Sequence, residues 1–415
     1  MGRSRLLVIT RMHYGIQAFF VAGILTFYLC FLLSSSRKST ETHSFDPVPS
    51  SSIPEPPPDG DTTRVLSKTP RIVLSDARIP GAPCFLYLPR GKHDMVYIDN
   101  IAKVKELSTW RVWDEPTPSD NRDAIVFRPV EGKGMGMVAR RTILAGELII
   151  AERPVYAQRK TLPRCSDQNT MNGVFHLAAV KDLSHTSREA IFSLKNSKTG
   201  YHPLSGILQT NFLMLDITEE PDPDPDNQFV GIFPLLSRAN HDCTPNSHYF
   251  FNFSSFTGEF RATRDIPRGD EVTISYTYVL APRTARQAHL RSDYSFTCSC
   301  AACRLDAKNA EASDDRRAKI DQLVEEITPG SSAWRKPSYE KMKECLKMVE
   351  KERLDIYRAQ ILFYGGTLLL QQGDVAHFLQ WMKRAKEEYF RLEGEASPAF
   401  KAVSTTLQIW PGGSR

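Results

Sequence analysis

A chain of 415 residues, 41% hydrophobic and 24% charged, can bury a real core as one large domain with appendages or as two domains. Its formal charge of +5 is too mild to imply nucleic-acid binding, and no direct nucleic-acid contact is expected. Eight cysteines over this length do not make a small secreted disulfide scaffold.

Residues 1–13 form a basic N-terminal segment, with Arg3, Arg5 and Arg11. Residues 14–33 carry no charge and are long enough to cross a bilayer as a helix, which predicts a single-pass anchor, with a cleavable signal peptide as the alternative. Arg37 and Lys38 follow it, so the flanking charges leave orientation almost undecided. Residues 34–71 are rich in Ser, Thr and Pro and read as a disordered linker, because such composition buries too little apolar surface to fold. Short β-like runs in residues 72–122, such as Cys84-Phe85-Leu86-Tyr87-Leu88, suggest a small lead-in region without an assigned role.

Residues 123–280 read as a compact, mainly β domain with a helical insert at about 158–215. Its first turn, Glu131-Gly132-Lys133-Gly134-Met135-Gly136, is neither a P-loop, which needs Gly-Lys-Ser/Thr, nor a dinucleotide turn, which should open a helix. Asn252-Phe253-Ser254 is a glycosylation sequon, and a glycan there would report luminal exposure. The Asp-Pro repeat at 221–226 reads as a solvated loop. Residues 281–305 hold a cysteine cluster, residues 306–403 show apolar spacing of a small helical bundle, and residues 404–415 read as a tail.

The richest stretch runs from Asn240 to Cys303. It contains Asn240-His241-Asp242-Cys243-Thr244-Pro245-Asn246, then Gly269-Asp270-Glu271-Val272-Thr273-Ile274-Ser275-Tyr276, then Cys298-Ser299-Cys300-Ala301-Ala302-Cys303. Thiolates are the ligands zinc prefers in structural sites, and four complete a tetrahedral shell. The C-x-C-x-x-C run supplies three, and Cys243 is the nearest further candidate. Disulfides or ordinary buried thiols are the competing explanation.

These three motifs, in this order over about half the chain, resemble the SET domain of protein lysine methyltransferases with its post-SET cysteine cluster. The similarity is to the SET-and-MYND branch and its fungal relatives. Only Cys165 lies where that branch carries a MYND finger, so the finger is absent. The resemblance implies an α+β fold: a mainly β SET domain with a helical insert, a post-SET zinc cluster on Cys243, Cys298, Cys300 and Cys303, and a C-terminal helical bundle.

The resemblance also implies methyl transfer from S-adenosylmethionine to the ε-amine of a lysine in a protein substrate. Tyr276 and Tyr294 would be the catalytic channel tyrosines. Lys133, Gly134, Met135, Asn211, Asn240, His241 and Phe296 would contact the cofactor, with Phe296 stacked on adenine. Relatives often carry a basic residue where Met135 stands. The C-terminal helices are a further partner surface. With the anchor, the catalytic domain is expected to face the cytosol, and without it a nuclear or cytoplasmic protein is expected. Two other functions fit the sequence, a catalytically weak SET-fold scaffold and a membrane-tethered structural zinc protein.

Overall fold

The computed structural model describes residues 71–74, 84–88, 94–99, 101–110, 112, 115–160, 176–177, 179–198, 200–217 and 228–410. The first part is built from short strands. β1 (Arg71–Leu74), β2 (Cys84–Leu88) and β3 (Met95–Asp99) precede helix α1 (Ile101–Ser108). β4 (Ile125–Val130) and β5 (Gly134–Ala139) form a hairpin, followed by β6 (Leu148–Glu152) and β7 (Tyr156–Arg159). Two short helices, α2 (His185–Phe192) and α3 (Pro203–Asn211), lead to β8 (Leu213–Leu215) and β9 (Phe229–Ile232). β10 (Asn240–His241), β11 (Ser247–Asn252), β12 (Thr257–Ala262) and β13 (Glu271–Ile274) complete the β part.

These strands form three sheets, ordered β1-β2-β3-β7-β9-β8, β10-β13-β5-β4 and β11-β12-β6. The β4–β5 turn needs backbone in the left-handed region, and Gly132 (φ 70°) and Gly134 (φ 80°) supply it without a Cβ penalty. β10 pairs in parallel with β13, setting Asn240 opposite Thr273 and His241 opposite Ile274. That register brings the two central motifs side by side. Phe233, Phe256 and Phe260, all fully buried, help fill the core beneath them.

The lead-in strands are not separate. β3 pairs in parallel with β7, so the segment extends a sheet of the central domain. The insert is bounded by strands as well as helices, since β7 and β8 both pair with β9.

The remainder is helical: α4 (Arg283–Tyr294), α5 (Ala307–Ile327), α6 (Tyr339–Lys351), α7 (Ile356–Gln371), α8 (Val375–Glu393) and α9 (Pro398–Ile409). Side chains of Asp306, Ser338, Asp374 and Ser397 accept N–H bonds at the starts of α5, α6, α8 and α9, satisfying donors that a helix end leaves open. The apolar run Tyr339–Leu370 is two helices, broken where Arg353 takes φ 53°. Gly365-Gly366 does not break a helix. It lies inside α7, where a Cβ on Gly365 would come within 2.6 Å of the Trp381 ring, so the pair permits close approach of α8. The last helix runs to Ile409, past the expected start of the tail at 404, because Ala399, Ala402 and Val403 are buried in the bundle.

The single-pass anchor is corrected: among the described residues no helix is long and apolar enough to cross a membrane, and residues 14–33 lie outside them. The membrane contact and the orientation that followed from it fall with the anchor. The linker, Cys165 and the Asp-Pro repeat also lie outside the described residues. Asn252 of the sequon is buried and donates its side-chain amide to Glu259 at 2.8 Å, so it faces the interior.

Candidate active site and metal centre

α4 ends at Tyr294 because Ser295 adopts the left-handed conformation (φ 60°), and the chain then turns into Phe296 and the cysteine run. This brings Cys298, Cys300 and Cys303 to Cys243, and the four sulfurs lie within 4.8 Å of one another. Cys243 Sγ and Cys303 Sγ are 3.6 Å apart. Four thiolates about 2.3 Å from one zinc ion would stand about 3.8 Å apart, so the donor set and its spacing fit a tetrahedral zinc site. All four are free thiols, which removes the disulfide alternative. Hydrogen bonding among them, with Cys243 foremost, pulls the Cys300 thiol down to about 5 and Cys303 below its ordinary value. The same bonds push the Cys243 and Cys298 thiols up, so a bound cation is what would let all four serve as thiolates.

Arg286 supplies part of that charge. Its guanidinium is 1% exposed, donates to the Ala281 carbonyl, and has a buried Nε with no partner. Burial works against its charge, but Cys243, Cys303 and Asp314 together outweigh it and raise the pKa. Nothing in the sequence marks this arginine, which sits in an ordinary amphipathic helix.

His241 joins the cluster to the tyrosine motif. Its Nδ1 accepts the Tyr276 backbone N–H at 3.0 Å, and its Nε2 lies 3.3 Å from Cys243 Sγ. With Nδ1 accepting, the proton sits on Nε2 and points at sulfur. Burial pushes this imidazole down to about 4, so it stays neutral. His241 was expected at the cofactor. Both ring nitrogens are engaged inside the protein, which leaves its main chain for a ligand.

Beside it, Asn240 Nδ2 donates to Glu271 Oε1 at 2.7 Å and to the Met135 carbonyl at 3.2 Å. Lys133 Nζ donates to Glu271 Oε2 at 2.6 Å. A Cβ on Gly136 would fall 2.7 Å from Glu271 Oε1 and 2.6 Å from Val130 Cγ2, so only glycine lets the turn pack this closely. Lys133, Gly136 and Asn240 thus gather around Glu271, with the Met135 carbonyl on the far side of the Asn240 amide. That residue was visible in the motif but had no assigned role. The Met135 side chain points outward, 42% exposed.

The neighbouring residue Ala239 opens onto a cavity of about 410 Å³ that Tyr276, Tyr294, Asn211, Phe212 and Tyr249 also line. The Tyr276 hydroxyl donates to the Ala239 carbonyl at 2.7 Å, and its ring centroid is 4.8 Å from that of Tyr294. Burial raises both phenols, Tyr294 to about 12, so both stay protonated at neutral pH. Asn211 spends both amide hydrogens on its own surroundings, the Lys195 and Ile207 carbonyls, each at 2.7 Å. Phe296 packs behind the cavity, 6.1 Å from the His241 ring and 6.5 Å from Tyr276.

Against known families, the SET domain matches residues 134–277, from the glycine turn to just past Tyr276. The chain carries a SET domain. It is 28% identical over 192 residues to the histone-lysine N-methyltransferase set5 of Schizosaccharomyces pombe, covering 46% of this chain and 54% of that protein. It is 29% identical over 166 residues to the human histone-lysine N-methyltransferase SMYD3, covering 39% and 38%. With the SET domain-containing protein SmydA-8, isoform A, of Drosophila melanogaster it shares 42% identity over 80 residues, 19% of this chain and 17% of that one. The chain spans about half, or less, of the length of these relatives. The SET match ends before Tyr294 and the three clustered cysteines, so those parts rest on their own geometry.

Proposed function

We propose that this chain is an S-adenosylmethionine-dependent protein-lysine N-methyltransferase. The observation that carries the reading is the paired Tyr276 and Tyr294 rings at 4.8 Å, lining a cavity that Ala239, the residue before Asn240, also lines. The names of the SET relatives agree with it.

A sulfonium methyl is already a strong electrophile, and that is the chemistry S-adenosylmethionine supplies when bound. The protein's task is then alignment and control of the lysine proton. A free lysine has a pKa of about 10.4, and desolvation between phenol rings lowers it toward the reactive neutral amine. Tyr276 is fixed by its bond to the Ala239 carbonyl, and its hydroxyl and that carbonyl together present oxygen at the end of the channel. Asn240, Glu271 and the backbone of the Gly134–Gly136 turn offer donors and acceptors to an amino-acid head group, with Lys133 available for its carboxylate. Phe296 offers a ring face for adenine. The four cysteines would hold zinc, which fixes the turn carrying Phe296 and the loop carrying His241.

Incubating the protein with labelled S-adenosylmethionine and a cell extract, and recovering the label on lysine, tests this. Wild type should label acceptor proteins, and Tyr276→Phe should lower the rate by about a hundredfold while still binding the cofactor in calorimetry. A folded wild-type protein that binds the cofactor and labels nothing would sink the reading.

A further inference from the structure

The two channel rings are also held from outside the cavity. Tyr276 is bound at three points: its N–H by His241, its hydroxyl by the Ala239 carbonyl, and its own carbonyl by His289, whose Nε2 lies 3.2 Å away. His289 stands on α4, and its imidazole meets the Tyr294 ring edge to face, with centroids 5.9 Å apart. One residue therefore touches both channel tyrosines. Asp293, one turn further along α4, faces His289 Nδ1 with Oδ2 at 2.8 Å and accepts from the Lys198 ammonium with Oδ1 at 3.0 Å. None of His289, Asp293 and Lys198 lines the cavity.

Burial opposes the charge on Asp293, yet its bond to Lys198 holds the carboxyl below the usual value. Both partners of His289 are thus acceptors, a carboxylate and a carbonyl, and the imidazolium form donates to each. Lys198 Nζ also lies 5.6 Å from the centroid of the Tyr294 ring, within the range of a cation–π contact. The loop that carries Lys198 is fixed in turn. The Ser197 N–H donates to Thr210 Oγ1 at 3.0 Å, Asn211 donates to the Lys195 carbonyl at 2.7 Å, and Ser295 Oγ donates to the Ser197 carbonyl at 3.2 Å. The helical insert is thereby tied to the turn that follows Tyr294.

We infer that His289, Asp293 and Lys198 are a set of positioning residues that fix the Tyr276 and Tyr294 rings at their working separation, so that the helical insert, through Lys198, governs the rate of methyl transfer without touching a ligand. This rests on the methyltransferase reading above and adds which residues hold its channel. The set spans a join in the chain: Lys198 lies within the SET match, while His289 and Asp293 lie beyond its end at 277. An in-line displacement loses rate when its aligning groups move by a fraction of an ångström to an ångström, so the set should act on the chemical step more than on binding.

The test uses the full chain, labelled S-adenosylmethionine and a cell-extract protein pool, with apparent kcat and KM taken from the dependence of rate on pool concentration. His289→Phe keeps a ring against Tyr294 and removes both donors, whereas His289→Gln keeps an N–H where Nε2 donates to the Tyr276 carbonyl. The phenylalanine variant should lower apparent kcat by about tenfold, with apparent KM and the calorimetric cofactor Kd within about twofold, and the glutamine variant should return to within about threefold of wild type. Lys198→Met should lower kcat by about threefold and add little to His289→Phe, since both act through Asp293. A glutamine variant as slow as the phenylalanine one would mean that ring packing, not the donor, matters, and would overturn the inference. So would a phenylalanine variant as fast as wild type, or one that no longer binds cofactor. A wild-type protein that binds cofactor and methylates nothing removes the methyltransferase reading itself, and this one with it, a distinct outcome.

Discussion

The backbone N–H of Tyr276 donates to Nδ1 of His241 at 3.0 Å, and the other nitrogen of that ring lies 3.3 Å from Cys243 Sγ. One imidazole thus spans from a thiolate of the metal centre to the main chain of the channel tyrosine. Replacing it with a ring of similar size but no nitrogen, His241→Phe, leaves the Tyr276 N–H unpaired, at about 1–3 kcal/mol. The expected result is slower methyl transfer together with faster release of zinc to a chromogenic chelator. A variant slow in catalysis with unchanged zinc release would separate the two ends of the ring.

The cysteine set makes a prediction independent of catalysis. Purified reduced protein should hold one zinc ion per chain by elemental analysis, and Cys303→Ser should lose most of it. Chelation should lower the thermal midpoint and abolish cofactor binding, because Phe296 and His241 both sit on segments fixed by the cluster. Arg286→Met should weaken zinc retention while leaving all four sulfurs in place, since a tetrathiolate zinc centre is doubly negative and this buried guanidinium lies against it.

The cysteine spacing and the Asn240–Asn246 motif were readable in the sequence because metal and turn chemistry dictate residue type at short range. The glycine turn was readable for the same reason, since positive φ at Gly132 and Gly134 restricts the choice. What the sequence hid was pairing at long range. The partner of β3 is β7, some sixty residues on, and no local pattern announces it. The reason two glycines stand at 365 and 366, inside a helix, is equally remote, since the Trp381 that packs against them belongs to another helix. His241 was read from its motif as a cofactor contact, and only the fold shows that both ring nitrogens have partners inside the protein.

Glu152 gives the fold a pH dependence. Its carboxyl accepts the Leu235 and Leu236 N–H groups at 2.9–3.0 Å, at the start of the turn that leads to Asn240. Burial pushes its pKa up to about 7, against the pull of those N–H groups and of Arg122 and Arg238. The folded state therefore holds this proton more tightly than the unfolded chain, whose carboxyl titrates near 4.5. Its stabilising contribution is complete below about 4.5 and is lost as pH rises through about 7. Thermal midpoints measured from pH 5 to pH 8 should show this decline in wild type, and Glu152→Gln should flatten it. A wild-type curve and a variant curve that run parallel would rule the effect out.

The helical bundle is joined to the metal centre by a buried ion pair. Arg317, fully buried on α5, donates Nε to Glu352 at 2.9 Å and Nη1 to the Cys243 carbonyl at 3.2 Å and to the Val279 carbonyl. Ser313 and Arg316 complete the shell around Glu352. Burial opposes the charge on Glu352, yet Ser313 and Arg317 hold its carboxyl below the usual value, so this contribution persists at neutral pH and fades in acid. Breaking such a pair leaves a buried charge without its counterpart, at about 3–5 kcal/mol. Glu352→Gln should destabilise by that order in denaturant unfolding and, because Arg317 also holds the Cys243 carbonyl, should speed zinc release. The double variant Arg317→Met, Glu352→Leu removes both charges and should recover much of the stability, but not the grip on the Cys243 loop. Full recovery of both properties would show that the pair fills space rather than tying the bundle to the metal loop.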